Sequence, residues 1–150
     1  MEGVLCMLTE FCDSFSLMKR LYDQVMEPVC RNYGITRMEL DILLFLANNP
    51  CYDTAADIIG RRQLTKSHVS SSVRRLEERG LLGRTFRQGN RKTVHLSLLA
   101  GSAPIVKEGR NAQKQYFSEI FKGFSKEEIQ KIGGNFIRIA GNARQAIMED

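Results

Sequence analysis

The sequence predicts an α+β protein that is mostly helical, with a helix-turn-helix and a β-hairpin set between long helices. Three observations predict it. Apolar residues recur at a spacing near 3.6 over the first thirty or so residues and again over the last twenty-five. Between them, turn and cap residues cut the chain into short segments. In that middle stretch, Thr54 to Ser97, lie ten of the 22 Lys and Arg residues, against only Asp57, Glu77 and Glu78.

From Val4 to about Tyr33, the positions Leu5, Leu8, Phe11, Phe15, Met18, Tyr22, Val25 and Met26 give one long amphipathic helix. Pro28 lacks an N–H and is expected to kink it, and Gly34 to end it. Thr36-Arg37-Met38-Glu39 reads as a capping box opening a helix through Ala47, with Leu40, Leu43, Leu44 and Leu46 inward. Asn48-Asn49-Pro50 stops it. Asp53 or Thr54 caps a short helix from Ala55 to about Arg61, with Ala55, Ile58 and Ile59 as its buried side. After a turn at Gln63 and Leu64, Thr65 is the expected N-cap of a helix from Lys66 to Arg79. Val69, Val73 and Leu76 form its core stripe, and Gly80 fits the C′ position. Leu81 to Phe86 and Thr93 to Leu98 pair as a hairpin turning at Gln88-Gly89-Asn90. Pro104 suits the first turn of a helix to about Lys122. Ser125-Lys126-Glu127-Glu128 is a second capping box, opening a last helix striped by Ile129, Ile132, Phe136, Ile139, Ala143 and Ile147. Gly133, Gly134 and Gly141 each weaken that helix by about 1 kcal/mol relative to Ala, so packing must offset them.

Charge is distributed as unevenly as structure. The formal net charge is +5, yet Thr54 to Ser97 alone carries +7 and the remainder −2. A local excess of cations needs a local reason, and a polyphosphate duplex supplies one. On the helix from Lys66, the residues Lys66, Ser67, Ser70, Ser71 and Arg74 lie opposite the core stripe, with His68 beside them. Short serines let the backbone approach base edges, while Lys66 and Arg74 reach guanine or phosphate acceptors. The helix N-terminus, beginning at Thr65, presents unpaired N–H groups to a phosphate. Arg84, Arg87, Arg91 and Lys92 line a hairpin narrow enough for a minor groove. Charge runs are usually only solvated faces. Here the element order, the serine-rich face and the charge asymmetry coincide, which favours double-stranded DNA as partner.

These residues resemble the MarR family of bacterial winged-helix transcription regulators. The likeness is carried by Gly34-Ile35-Thr36 before a leucine-rich helix and by Lys66-Ser67-His68-Val69-Ser70. It continues through Leu76-Glu77-Glu78-Arg79-Gly80-Leu81 and the wing ending Val94-His95-Leu96-Ser97-Leu98. It implies three parts: an N-terminal dimerisation helix over 1–33, a winged helix-turn-helix over 34–102, and C-terminal dimerisation helices over 103–150. It implies a homodimer whose recognition helices enter successive major grooves of a palindromic site about one helical turn apart. It also implies control of transcription, often repression, often relieved by a small phenolic or other amphipathic effector. At the wing tip the family usually carries Asp-x-Arg, whereas this chain has Asn90-Arg91-Lys92. Asn90 cannot form the ion pair of an Asp, and Lys92 lacks the planar fork of Arg. Leu98-Leu99-Ala100-Gly101-Ser102 likewise departs from the family's Leu-Thr-x-x-Gly.

Other classes find less support. No G-x-S-x-G, H-E-x-x-H or phosphate loop is present, and Ser70-Ser71-Ser72 lacks a base nearby, so it reads as contact surface rather than catalytic machinery. An enzyme is not expected. Cys6, Cys12, Cys30 and Cys51 are widely spaced and distant from His68 and His95, so neither a metal nor a cofactor is expected. Cys6 has Glu2 and Glu10 near it, which disfavours a thiolate. Cys6 and Cys12 read as small buried hydrophobes, Cys30 beside Arg31 is slightly better placed as a sensor, and Cys51 reads as structural. His95 reads as a packed strand residue. Phe117, Phe121, Phe124 and Phe136 read as core or dimer interface. Two alternatives stay open on the residues alone: a winged helix that docks a protein partner, and a thiol-based redox-sensing regulator. The longest apolar run, Ile42 to Ala47, is too short for a bilayer, and the start lacks a signal peptide's positive flank, so a cytoplasmic protein without membrane contact is expected.

Overall fold

Two threonines set the frame. Thr36 and Thr54 each accept from the N–H three residues on, and Glu39 and Asp57 reach back to the threonine N–H groups at 2.9 and 3.0 Å. These boxes open α2 (Arg37–Asn48) and α3 (Ala55–Arg62). The box at Thr54 does not stand out in the sequence, because Asp at its N3 position is rarer than Glu or Gln. The computed structural model describes residues 1–149. Before these helices runs α1 (Glu2–Tyr33), which contains Pro28 and stops at Gly34 in the left-handed region (φ 59°). After them come α4 (Lys66–Glu78), β1 (Leu82–Arg87), β2 (Asn90–Leu98), a short 3-10 turn at Ala100–Ser102, α5 (Ala103–Ile120) and α6 (Lys126–Glu149).

The chain divides into two compact units, Met1–Tyr116 and Phe117–Asp150. In the first, the core gathers Met26 and Val29 from α1, the run Ile42 to Leu46 from α2, Ile58 from α3, Val69, Val73 and Leu76 from α4, and Ile105 from α5. The stripes expected for α2 and α4 are therefore the buried faces; on α3 only Ile58 is fully covered. The two strands pair antiparallel from Leu82 with Leu98 to Thr85 with His95, and the register shifts before Arg87 meets Asn90. Gly89 turns the tip at φ 80°, and Gly80 ends α4 at φ 68°. Gly109 is buried on α5 because a Cβ there would lie 2.8 Å from Leu44 Cδ2, so its absence lets α5 lie close on α2.

Much apolar surface of α1 stays outside this core. Val4, Leu5, Leu8, Phe11 and Phe15 are all exposed. In the second unit, Ser125 and Glu128 form the expected capping box. No residue of α6 is buried, and Phe136, Ile139 and Ile147 of its stripe face outward. Among the described residues, no atom beyond the adjacent residues and the helix's own backbone lies within 4 Å of a Cβ built at Gly133, Gly134 or Gly141. Among the described residues, no helix is long and apolar enough to cross a membrane, and no group of His, Cys, Asp and Glu could hold a metal ion.

Candidate nucleic-acid interface

The helix α4 presents two opposed faces. Val69, Ser72, Val73 and Leu76 are buried, whereas Lys66, Ser67, His68, Ser70, Ser71 and Arg74 are exposed. Ser72 thus faces inward: its Oγ accepts from Arg75 Nη2 at 3.3 Å. The serine run is contact surface only at Ser70 and Ser71, because Ser72 stands three residues after Val69 and shares its side. Ser71 Oγ donates to the His68 carbonyl at 3.2 Å.

Thr65 has the backbone of an N-cap (φ −77°, ψ 142°), but its side chain makes no cap hydrogen bond, contrary to expectation. The physical difference from Thr36 and Thr54 lies at the N3 position. His68 stands there, so no carboxylate reaches back to complete a box. With no acidic residue in the first turn either, the leading N–H groups of α4 and their positive dipole remain available to an outside acceptor.

The ten cations split into two groups. Seven have partners. Arg61 stacks on Tyr52 at 3.4 Å from the ring centre, and Arg62 lies over Phe45 at 5.4 Å. Arg74 pairs with Glu78 at 3.2 Å on the exposed side of α4. Arg75 Nε donates to buried Glu39 at 2.5 Å. Arg79 donates to the carbonyls of Gly34 and Tyr33 at 2.8 and 2.7 Å. Arg84 grips Glu77 with two bonds, the second at 2.8 Å, and Arg87 stands 4.0 Å from Asp53. Among the described residues, Lys66, Arg91 and Lys92 have side chains with no ion pair or hydrogen bond.

Burial alone would raise the Glu39 carboxyl. The hydrogen bonds from Arg75 and the Thr36 N–H, with the charges of Arg75 and Arg79, outweigh it and hold Glu39 below the ordinary carboxylate range. Arg75 and Arg79 therefore brace α4 against the α1–α2 junction, whereas in the sequence they read as part of one cationic surface. The bidentate bond to Glu77 holds the Arg84 guanidinium above its usual value and ties β1 to α4.

The wing closes without the ion pair that an Asp would make. Asn90 Oδ1 accepts from the N–H groups of Lys92 and Thr93 at 3.0 and 3.2 Å, and its Nδ2 donates to Thr93 Oγ1 at 3.3 Å. A neutral amide thus fixes the turn and leaves Arg91 and Lys92 outward. At the wing base, buried His95 has Nδ1 at 2.7 Å from Asp53 Oδ1, and the Asp53 carbonyl accepts from Leu96 N–H at 2.7 Å. His95 is packed, as its strand position indicates. Asp53 and Glu39 were missed as organisers of the interface, since only the fold brings them to residues 42 and 36 positions away. Phe86, exposed on the wing beside the register shift, was also missed.

Of the four thiols, Cys30 is the one the fold disfavours as a sensor. Cys30 is buried, and burial raises its pKa despite the charge of Arg37, which removes the advantage read from Arg31. Cys6, Cys12 and Cys51 are exposed, so Cys6 and Cys12 are not core residues within the chain.

Two hollows lie beside these elements. One of about 300 Å³ is lined by Tyr22, Asp41, Phe45, Arg62 and Gln113 among others. Burial raises the Asp41 carboxyl although Arg37 opposes it. A wider one of about 660 Å³ borders α5.

The comparisons with known proteins agree with this arrangement. Residues 33–92 match the model of the MarR family. The regulator PecS of Dickeya dadantii (strain 3937) is 25% identical over 117 residues, which are 77% of this chain and 70% of that protein. The S. aureus MepR–DNA complex superposes with a TM-score of 0.70 at 21% identity, covering 89% of this chain and 93% of that one. Bordetella bronchiseptica BpsR, a structure concerned with regulation of DNA binding by 6-hydroxynicotinic acid, has a TM-score of 0.67 at 15% identity, covering 87% and 98%. Residues 33–92 are thus similar to the MarR family model, and the matched segment holds α4 with its exposed face, β1 and the start of β2.

Proposed function

We propose that this chain is a MarR-family transcriptional regulator that reads duplex DNA as a homodimer in the cytoplasm, represses from a palindromic operator, and releases it on binding a small amphipathic effector. One observation carries the DNA reading. α4 buries Val69, Val73 and Leu76 while its opposite side offers Lys66, Ser67, His68, Ser70, Ser71 and Arg74 above an uncapped N-terminus. In this reading Thr65 and Lys66 take a phosphate, the serines and Arg74 meet base edges in the major groove, and His68 lies beside them. Arg91 and Lys92, unpaired among the described residues, enter or flank the minor groove. Arg84 holds the wing to α4 through Glu77, while Arg87, mostly exposed and 4.0 Å from Asp53, reaches the DNA backbone.

Dimerisation is supported by the outward apolar faces of α1 and of α6, since contiguous apolar surface of this kind marks an interface. In the domain reading, 1–33 and 103–150 supply that interface and 34–102 the DNA-binding part. An effector fits the likeness to BpsR, whose DNA binding is regulated by 6-hydroxynicotinic acid. Selection of bound sites from a random duplex library tests the proposal: half-sites about one helical turn apart support it, and recovery of no enriched sequence refutes it. Titration of the selected duplex at several salt concentrations then counts phosphate contacts. Arg91→Ala is expected to weaken binding across sequences and reduce the salt slope by about 1. An unchanged slope removes Arg91 from the interface.

A further inference from the structure

The outward face of α4 ends in a carboxylate. Lys66, Ser70, Arg74 and Glu78 follow at four-residue steps and are all exposed, so they form one stripe. A carboxylate on a face that meets a polyphosphate costs affinity. Helix stability does not account for it. Glu78 is the last residue of α4, where the macrodipole favours cations. The order Arg before Glu at i, i+4 is also the weaker one. With side chains 77% and 61% exposed, the Arg74–Glu78 pair adds little to the fold. Glu77, the other acid of α4, is mostly covered and takes both bonds from Arg84, so its role is to hold the wing.

The atoms that meet in the exposed pair give Glu78 a different role. Its Oε1 lies 3.2 Å from Arg74 Nε, the inner nitrogen of the guanidinium. Among the described residues, neither Nη of Arg74 has a partner. A guanidinium is a planar fork, and guanine offers two acceptors, O6 and N7, that such a fork can meet together. An arginine already held at Nε loses less rotamer freedom when its outer edge binds. We infer that Glu78 is a positioning residue for Arg74: it holds the guanidinium at Nε so that the two Nη groups meet O6 and N7 of a guanine in each half-site. Glu78 itself touches no base. This rests on the DNA reading above and assigns one base within it.

The test is selection of bound sites from a random duplex library with the full chain, then titration of the selected duplex and of duplexes changed at single guanines. Arg74→Ala identifies the position: it should abolish a guanine preference that the native chain shows by at least about ten-fold. Glu78→Ala should lower that same preference about three-fold or more. Its affinity for duplexes without the guanine should not fall, since a negative charge has been removed. Added to Arg74→Ala, the change Glu78→Ala should leave base preference as it is, because one residue acts through the other. Urea midpoints of both single variants should match that of the native chain. A native site in which Arg74→Ala alters no guanine overturns the inference, as does an unchanged preference in Glu78→Ala. A uniform loss across all duplexes with a lowered urea midpoint overturns it too, in favour of a structural role. Loss of a cytosine preference that persists beside Arg74→Ala also overturns it, and makes Glu78 the acceptor of a cytosine amino group. Recovery of no enriched sequence by the native chain overturns the DNA reading and this inference together, whereas an enriched site indifferent to Glu78 overturns this inference alone.

Discussion

Replacing Glu39 measures how firmly the proposed reading helix is held. The Glu39 side chain is 4% exposed and its partner Arg75 48% exposed. Glu39→Ala removes one half of the capping box of α2, a loss of about 0.5–1 kcal/mol. It also removes a charge-assisted hydrogen bond, about 1.5–3 kcal/mol for a sheltered pair, of which half-exposed Arg75 regains a part from water. The expected loss is about 2–3 kcal/mol, or about 4–12 °C in thermal midpoint at this chain length. Glu39→Gln keeps an acceptor oxygen for both donors and is expected to lose about 1 kcal/mol. Urea unfolding at fixed protomer concentration gives both values, since a dimer's stability depends on concentration. The pH dependence adds a second check. The folded Glu39 pKa is lowered, so its contribution is complete above the unfolded value and disappears as pH falls through the folded one. The gap between the native chain and Glu39→Gln should therefore be full at neutral pH and close in acid below the ordinary carboxylate range. A loss below about 0.5 kcal/mol for Glu39→Ala, the scale of an ordinary surface change, or a gap constant into acid, refutes the brace.

Three further outcomes follow from particular contacts. Gly80 holds φ 68° at the end of α4, so Gly80→Ala should cost about 1–2 kcal/mol in urea unfolding; an unchanged midpoint would mean that the turn adopts another conformation. At Gly109, a Cβ would stand 2.8 Å from Leu44 Cδ2 in the packed core. Gly109→Ala should therefore lose about 1–3 kcal/mol, and Leu44→Ala in the same chain should recover part of it in a double-mutant cycle. Leu8→Asp on α1 and Ile139→Asp on α6 each place a charge on an outward apolar face, and sedimentation velocity should show dimer giving way to monomer; a persistent dimer would remove that face from the interface.

The fold was legible wherever local chemistry fixes it. Glu39 three residues after Thr36, the stripe Val69-Val73-Leu76 and the paired Gly80 and Gly89 state their structures within a few residues of sequence. Thr65 shows the limit of that reading. Its residue type and backbone suit a cap, but its side chain makes no cap hydrogen bond, and residue type alone does not set where the hydroxyl turns. The interface was legible as a face but not as a set of free charges. The spacing of Lys66, Ser70 and Arg74 on α4 places them outward without knowledge of any other helix. Whether Arg75, Arg79, Arg84 and Arg87 are free depends on Glu39, the Tyr33 carbonyl, Glu77 and Asp53. Apart from Glu77, those partners lie far away in sequence and reach the cations only through tertiary packing.

This division of charge bears on how the winged helix could work. If all ten cations were unpaired, binding to any duplex would be strong and poorly selective, because phosphate neutralisation carries no sequence information. Here arginines that would otherwise add to that nonspecific attraction are committed to holding α4 and the wing in register. Fixed geometry is what bidentate contact to base edges demands. The same bonds join the reading helix to the rest of its unit. Arg79 donates to the Tyr33 carbonyl, and the Tyr33 hydroxyl donates to Glu108 of α5 at 2.7 Å. α5 is therefore joined to the C-terminal end of α4 by a short bonded route, through one residue of α1 and two side-chain contacts.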